Sequence, residues 1–171
     1  PVYVTKWGAD YVAAAGHKWI VGPWGAGFLY VSANVVSELD PGHVSYRGVD
    51  RDSETFDLHP NAQRLEVGTT SAAPYVGLQT ALETLSSIGM DAIKARIESL
   101  ITLLKDRVPD SKLISPRQFE SGIVAIDDET PEQTVNHLAA HDVQVRSIAE
   151  PDAIRVSIHA FNTQSDVEQF L

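Results

Sequence analysis

The residue whose setting most invites chemistry is Lys18, in the run Ala13-Ala14-Ala15-Gly16-His17-Lys18-Trp19-Ile20. Apolar neighbours disfavour the charged form of an amine, which makes the neutral nucleophile available for Schiff-base chemistry. Taken alone, the same run fits better a lysine that extends from a strand end into water. A second group lies near the other end of the chain, where Arg155, Ser157 and His159 alternate with Ile154, Val156 and Ile158. On a strand this alternation turns the arginine away from the aliphatic face and keeps His159 on the arginine's side. His159 then either borders a ligand or packs against the protein. His137 and His141, four apart on an expected helix, could present two imidazoles to one metal. No carboxylate or third histidine accompanies them at a suitable spacing, so they read as a solvated helix face and no metal is expected. Gly22, Gly25 and Gly27 lack the spacing of a dinucleotide loop, and a strand follows them where a helix would be needed, so they read as turn residues.

These residues need elements to hold them. Residues 11–15 and 27–31 read as two short strands with breakers at Gly22-Pro23-Trp24-Gly25 between them, which puts Lys18 on a strand-end loop. Trp19 and Trp24 flank it and read as core or subunit-contact residues. From 37 to 66 the periodicity is lost, and a connection of that length serves a function or an interface. Arg47, Arg51 and Arg64 fall in it without an assignable role. A helix is expected after Ser71, with Pro74 near its first turn and Val76, Ala81, Leu82 and Leu85 as its apolar face. After Gly89 a second helix runs from Asp91, with Ile93, Ile97, Leu100, Ile101 and Leu104 at helical spacing, and ends before Pro109. Strand 122–126, helix 131–140 capped by Thr130, strands 143–146 and 154–158, and a helix starting at Thr163 complete the chain. That helix looks cut before its second turn and Pro1 is not an initiator Met, so both ends read as truncated. Two neighbouring strands late in an otherwise alternating order indicate a small α+β domain over 91–171, preceded over 1–90 by part of a larger sheet.

Composition narrows the classes of function. No apolar run approaches the roughly 20 residues needed to span a bilayer, and no secretory pattern opens the chain, so a cytoplasmic protein with no membrane partner is expected. Zero Cys removes disulfides, thiolate metal sites and cysteine nucleophiles together. The net charge of −10, from 13 basic and 23 acidic residues, argues against a nucleic-acid partner, because phosphate binding needs clustered Lys and Arg. Five Lys against thirteen Asp also suits a protein kept soluble in concentrated salt.

Several motifs in fixed order carry a resemblance that spans nearly the whole chain. They are Asp10-Tyr11-Val12-Ala13-Ala14-Ala15-Gly16-His17-Lys18 with Gly22-Pro23-Trp24-Gly25-Ala26-Gly27-Phe28-Leu29-Tyr30-Val31, then Glu66-Val67-Gly68-Thr69-Thr70, then Ser87-Ile88-Gly89-Met90-Asp91, and finally Arg155-Val156-Ser157-Ile158-His159-Ala160-Phe161-Asn162-Thr163. Together they resemble the class V aminotransferase family, which includes cysteine desulfurases and isopenicillin-N-epimerase-like proteins and depends on pyridoxal 5'-phosphate (PLP). The resemblance implies an α/β protein: the C-terminal part of the fold-type-I large domain followed by the small α+β domain. It makes Lys18 the lysine bonded to the cofactor, His17 a contact to the cofactor phosphate, Thr69 a contact to the phosphate of the neighbouring subunit in a homodimer, and Arg155 the clamp on the substrate carboxylate. A guanidinium suits that last role because its planar fork donates two parallel hydrogen bonds.

The sequence also departs from the family. Where the desulfurase branch has a phosphate-binding Ser three positions before the lysine, this chain has Ala15. The acid that pairs with the pyridine nitrogen and the residue that stacks on the ring lie before Pro1 in relatives. The segment Val145-Arg146-Ser147-Ile148-Ala149-Glu150-Pro151-Asp152 carries no cysteine where desulfurases place theirs, which resembles the epimerase-like branch. The expectation is therefore a PLP enzyme acting at the α-carbon of a small amino-acid substrate, as an aminotransferase or epimerase-like protein. The rivals are a cysteine desulfurase or selenocysteine lyase that has lost its Cys, and a non-catalytic remnant.

Overall fold

In the computed structural model, which describes residues 2–119 and 121–171, the chain divides into two units, Pro1–Ser87 and Ile88–Leu171. The first opens with a single helical turn, α1 (Val4–Trp7), closed by Gly8 in the left-handed conformation; no periodicity in the sequence announces it. Strands β1 (Tyr11–Ala15) and β2 (Gly27–Val31) have the expected bounds and pair antiparallel from Tyr11↔Val31 to Ala15↔Gly27. The chain then runs irregularly, with 3-10 turns at Val36–Glu38 and Ala62–Leu65 and an isolated bridge Val49↔Leu58.

Helix α2 (Ala72–Ile88) follows, and its buried side differs from the expected one. Val76 and Leu82 are exposed and only Leu78 is buried. The cause is the surface the helix meets. Pro23 lies so close that a Cβ on Gly77 would sit 2.7 Å from its Cγ, and Leu78 fills the gap left by Gly16. The seam follows the lysine loop and not the helix's own apolar pattern.

The second unit is built on α3 (Met90–Arg107), which buries Ile93, Ile97, Leu100, Ile101 and Leu104 at the predicted spacing. Each such side chain contributes about 1.5–3 kcal/mol relative to exposure. Lys105 on the same helix is also buried, its ammonium donating to the carbonyls of Pro116 and Gln118. The sheet consists of β3 (Ile123–Asp127), β4 (Arg146–Ala149) and β5 (Asp152–Ser157) in the order β3-β5-β4, antiparallel throughout. Helices α4 (Pro131–Ala139) and α5 (Gln164–Phe170) complete it. Val124, Ile126, Ile154 and Val156 form the sheet's buried face.

Three local expectations are corrected. Strand β4 begins at Arg146, where the expected strand ended. Asp142 takes a left-handed φ of 62° and the Val143 N–H bonds to the Leu138 carbonyl at 3.0 Å, so 140–143 terminate α4 before pairing begins. Thr130 occupies the cap position of α4 without a side-chain cap bond. Asp128 serves there instead, accepting the Thr130 N–H and the Thr134 hydroxyl, both at 2.8 Å. Strand β5 ends at Ser157, which leaves His159 outside it. At α5 the expected start at Thr163 is present as a capping box: its hydroxyl accepts the Asp166 N–H and the Asp166 carboxylate accepts the Thr163 N–H. Among the described residues no helix is long and apolar enough to cross a membrane.

Candidate functional site

Lys18 lies on the loop between β1 and β2. The loop is pinched at its neck, where the Gly16 N–H bonds to the Ala26 carbonyl and the Gly22 N–H to the Gly16 carbonyl, both at 2.9 Å. A tighter turn sits inside it, closed by the Val21 N–H on the Lys18 carbonyl at 2.9 Å. Val21 adopts a φ of 58°, a conformation that costs a β-branched residue about 1–3 kcal/mol. A Cβ on Gly16 would stand 2.8 Å from Leu78 Cδ1 and 2.9 Å from the Ala26 carbonyl oxygen, so only glycine lets the loop lie this close to α2.

The described residues form no apolar enclosure around Lys18, in keeping with the reading of its run, taken alone, as a lysine that extends into water. Lys18 is exposed, and its amine makes no hydrogen bond or ion pair among them. His17 is half-buried and stacks on Trp24 with ring centroids 4.2 Å apart and planes 12° from parallel. Trp24 is itself 80% exposed, so it is not a core residue.

Thr69 lies on a braced turn. Its hydroxyl bonds to the Tyr46 hydroxyl. Ser45 holds the segment behind it, donating to the Glu66 carbonyl at 2.8 Å and accepting the Gly68 N–H at 3.3 Å and the Arg47 N–H at 3.2 Å. Arg47 pairs with Glu66 at 2.7 Å. An ion pair this exposed contributes little stability, so its effect is to fix the position of the segment. A groove of about 520 Å³ opens beside it, lined among others by Phe28, Leu29, Arg47, Thr70 and Tyr75. The brace from Ser45 to Arg47 was not found from sequence. The only local hint is the opposite charge of Arg47 and Glu66.

In the second unit Arg155 occupies the central strand, exposed, on the face opposite Ile154 and Val156. Its cross-strand partners are Ala125 on β3 and Arg146 on β4. A pairing with Arg146 was not foreseen, because the expected strand 143–146 gave it no partner. His159 is half-buried, its N–H donating to Asn162 Oδ1 at 2.9 Å and its ring stacked on Phe161 at 4.7 Å. His137 and His141 are exposed with rings 4.7 Å apart, and His141 Nδ1 lies 2.9 Å from the His137 carbonyl oxygen. No cluster of three or more metal-capable side chains occurs among the described residues.

With this geometry in place, comparison with known proteins is informative. The aminotransferase class-V family model matches residues 1–170. A probable cysteine desulfurase of Streptomyces coelicolor is 33% identical over 167 residues, covering 93% of this chain and 38% of that protein. Isopenicillin N epimerase of Streptomyces clavuligerus is 32% identical over 130 residues, covering 68% of this chain and 32% of the epimerase. Among solved structures, the cystine C-S lyase C-DES in complex with cysteine persulfide superposes with a TM-score of 0.85 at 25% identity, over 98% of this chain and 46% of the lyase. The Escherichia coli cysteine desulfurase CsdA gives 0.80 at 28% identity, over 99% of this chain and 46% of its own. A C-DES variant in the same fold holds glycine covalently linked to its PLP cofactor. The chain spans less than half the length of each of these proteins.

Proposed function

The chain belongs to the class-V aminotransferase family, and from that premise we propose that Lys18 carries PLP in the intact protein, which acts at the α-carbon of an amino acid. The observation that carries this reading is the Lys18 loop itself: an exposed amine with no ion pair among the described residues, on a tight turn seated against α2 through Gly16. Among the described residues no carboxylate ties up the Lys18 amine, so it is sterically free to meet a carbonyl carbon once its surroundings in the intact protein favour the neutral form. Bound there, the cofactor would take up the electrons released when a bond to the α-carbon breaks. The Lys18 amine, displaced by the substrate's own amine, would take the α-proton and return it.

His17 and Thr69 fit the cofactor phosphate by donor chemistry, an imidazole N–H and a hydroxyl, with Thr69 reaching it from the second subunit of a homodimer. Arg155 would hold the substrate carboxylate through two parallel hydrogen bonds. The sequence has no cysteine to accept sulfur, and β4 and β5 are joined by only Glu150 and Pro151, since Ala149 pairs with Asp152. Both points favour an aminotransferase or epimerase-like reaction over desulfuration.

Borohydride reduction of the intact PLP-loaded protein, followed by peptide mapping, tests the reading. A stable phosphopyridoxyl adduct is expected on Lys18. An adduct on Lys6 or Lys94, or a loaded protein that yields none on Lys18, overturns it.

A further inference from the structure

The open face of the second unit's sheet presents two arginines where one suffices for a carboxylate. Arg146 and Arg155 are direct cross-strand partners in the β4–β5 pair. Residues directly opposite in an antiparallel pair project to the same face, and like charges placed so destabilise the pair. Both are exposed, and among the described residues neither guanidinium makes a hydrogen bond or an ion pair. The acid on the same face of β3, Asp127, is engaged elsewhere, with Lys112 at 2.8 Å. On the other side of Arg155 stands Ala125, too small to cover it.

The arrangement is also fixed. Ala149 pairs with Asp152 across a two-residue connection, and a slip of one residue would turn Arg146 to the opposite face. In a chain of net charge −10, two adjacent guanidiniums without a carboxylate partner among the described residues form a cationic site that those residues do not satisfy.

We propose that Arg146 is a specificity-determining residue that forms, with Arg155, a subsite for an amino acid carrying a second anionic group on its side chain. The inference rests on the reading of Arg155 as the carboxylate clamp and adds a second fork beside it. A monocarboxylate engages one guanidinium and leaves the other without an anion. A dianion neutralises both, each through charge-assisted paired hydrogen bonds.

Titration of the full chain with succinate and with propionate, followed by calorimetry and by amide shifts at Ala125 and Ser157, tests the pair without turnover. Succinate is expected to bind at least about tenfold more tightly than propionate, since a hydrogen bond to a charged group is typically worth that much. Arg146→Ala should bring succinate down to the level of propionate and leave propionate unchanged, and Arg146→Gln should do the same. Unaltered circular dichroism would show that the edge strand is intact in both variants. Equal affinity for the two anions in the parent chain, or succinate binding that survives both substitutions, overturns the proposal. Arg155→Ala separates this from the functional reading. If it leaves propionate binding intact while the Arg146 variants still abolish the preference for succinate, Arg155 is not the clamp but the second anion site stands.

Discussion

The two units solve the problem of burial in opposite ways. In the second, Leu100, Ile101, Leu104 and Val124 are fully buried, and one helix supplies three of these four. In the first, the buried apolar residues Ala26, Val36, Val49 and Leu78 lie on four separate segments, while Trp24, Phe56, Val67 and Val76 stand more than half exposed. Apolar residues exposed on that scale contribute little to the unit's own stability. The unit bearing Arg155 therefore has a core of its own, whereas the unit bearing Lys18 holds a tightly hydrogen-bonded loop on a scaffold with few buried apolar residues. The Schiff-base chemistry proposed for Lys18 is favoured by an enclosed amine, and the described residues of the first unit leave that amine exposed.

Dividing the chain gives the largest test of this contrast. Residues 88–171 alone should unfold in a single cooperative urea transition, and residues 2–87 alone should show none and should bind a hydrophobic dye. Cooperative unfolding of 2–87 would break the comparison. Within the full chain, Leu104→Ala should cost about 2–5 kcal/mol, because a fully buried leucine leaves a cavity. Leu82→Ala on half-exposed α2 should stay within about 0.5 kcal/mol. Equal shifts of the denaturation midpoint for the two would remove the distinction.

Gly16→Ala sharpens the comparison inside the first unit. Its Cβ would press on Leu78 and on the Ala26 carbonyl, so the loop should lift from α2 at a cost of about 1–3 kcal/mol, read as faster amide exchange at Gly16 and Gly22. A protection pattern unchanged from the parent would mean that the loop is not seated by that contact.

A test that also depends on pH belongs to the second unit. Thr163→Ala should cost about 1 kcal/mol by removing the cap of α5. The Asp166 carboxyl is held below its ordinary value of 3.8, first by the Thr163 backbone N–H, then by the Thr163 hydroxyl and by Asn162. A depressed folded value means that its contribution is present above pH 3.8 and is lost as pH falls through the lower value. The acid limb of a stability profile should therefore flatten in Asp166→Asn. An identical limb in that variant would show that the carboxyl does not contribute.

The same contrast explains what was legible in the sequence. Helix α3 was readable because its burial follows its own period, and the Lys18 loop because glycine and proline punctuate it locally. The brace behind Thr69 was not, since Ser45 and Tyr46 meet Glu66, Gly68 and Thr69 across more than twenty residues and no local period encodes such contacts. The buried side of α2 was misread because Leu78 answers to a gap in another segment. Arg146 was missed for a subtler reason. Where β4 starts depends on how α4 stops, and the left-handed turn at Asp142 delays pairing by three residues.

The tip of the β4–β5 hairpin has a consequence for how such a protein can change. Glu150 and Pro151 alone join the strands, and the pairs beneath them hold the two arginines in register. Lengthening a loop costs only about 0.6 kcal/mol for each doubling, so this tip is a graft point. A segment carrying a new reactive side chain could be spliced in or deleted there over evolutionary time without shifting the guanidiniums, leaving the choice of reaction and the choice of substrate under separate selection.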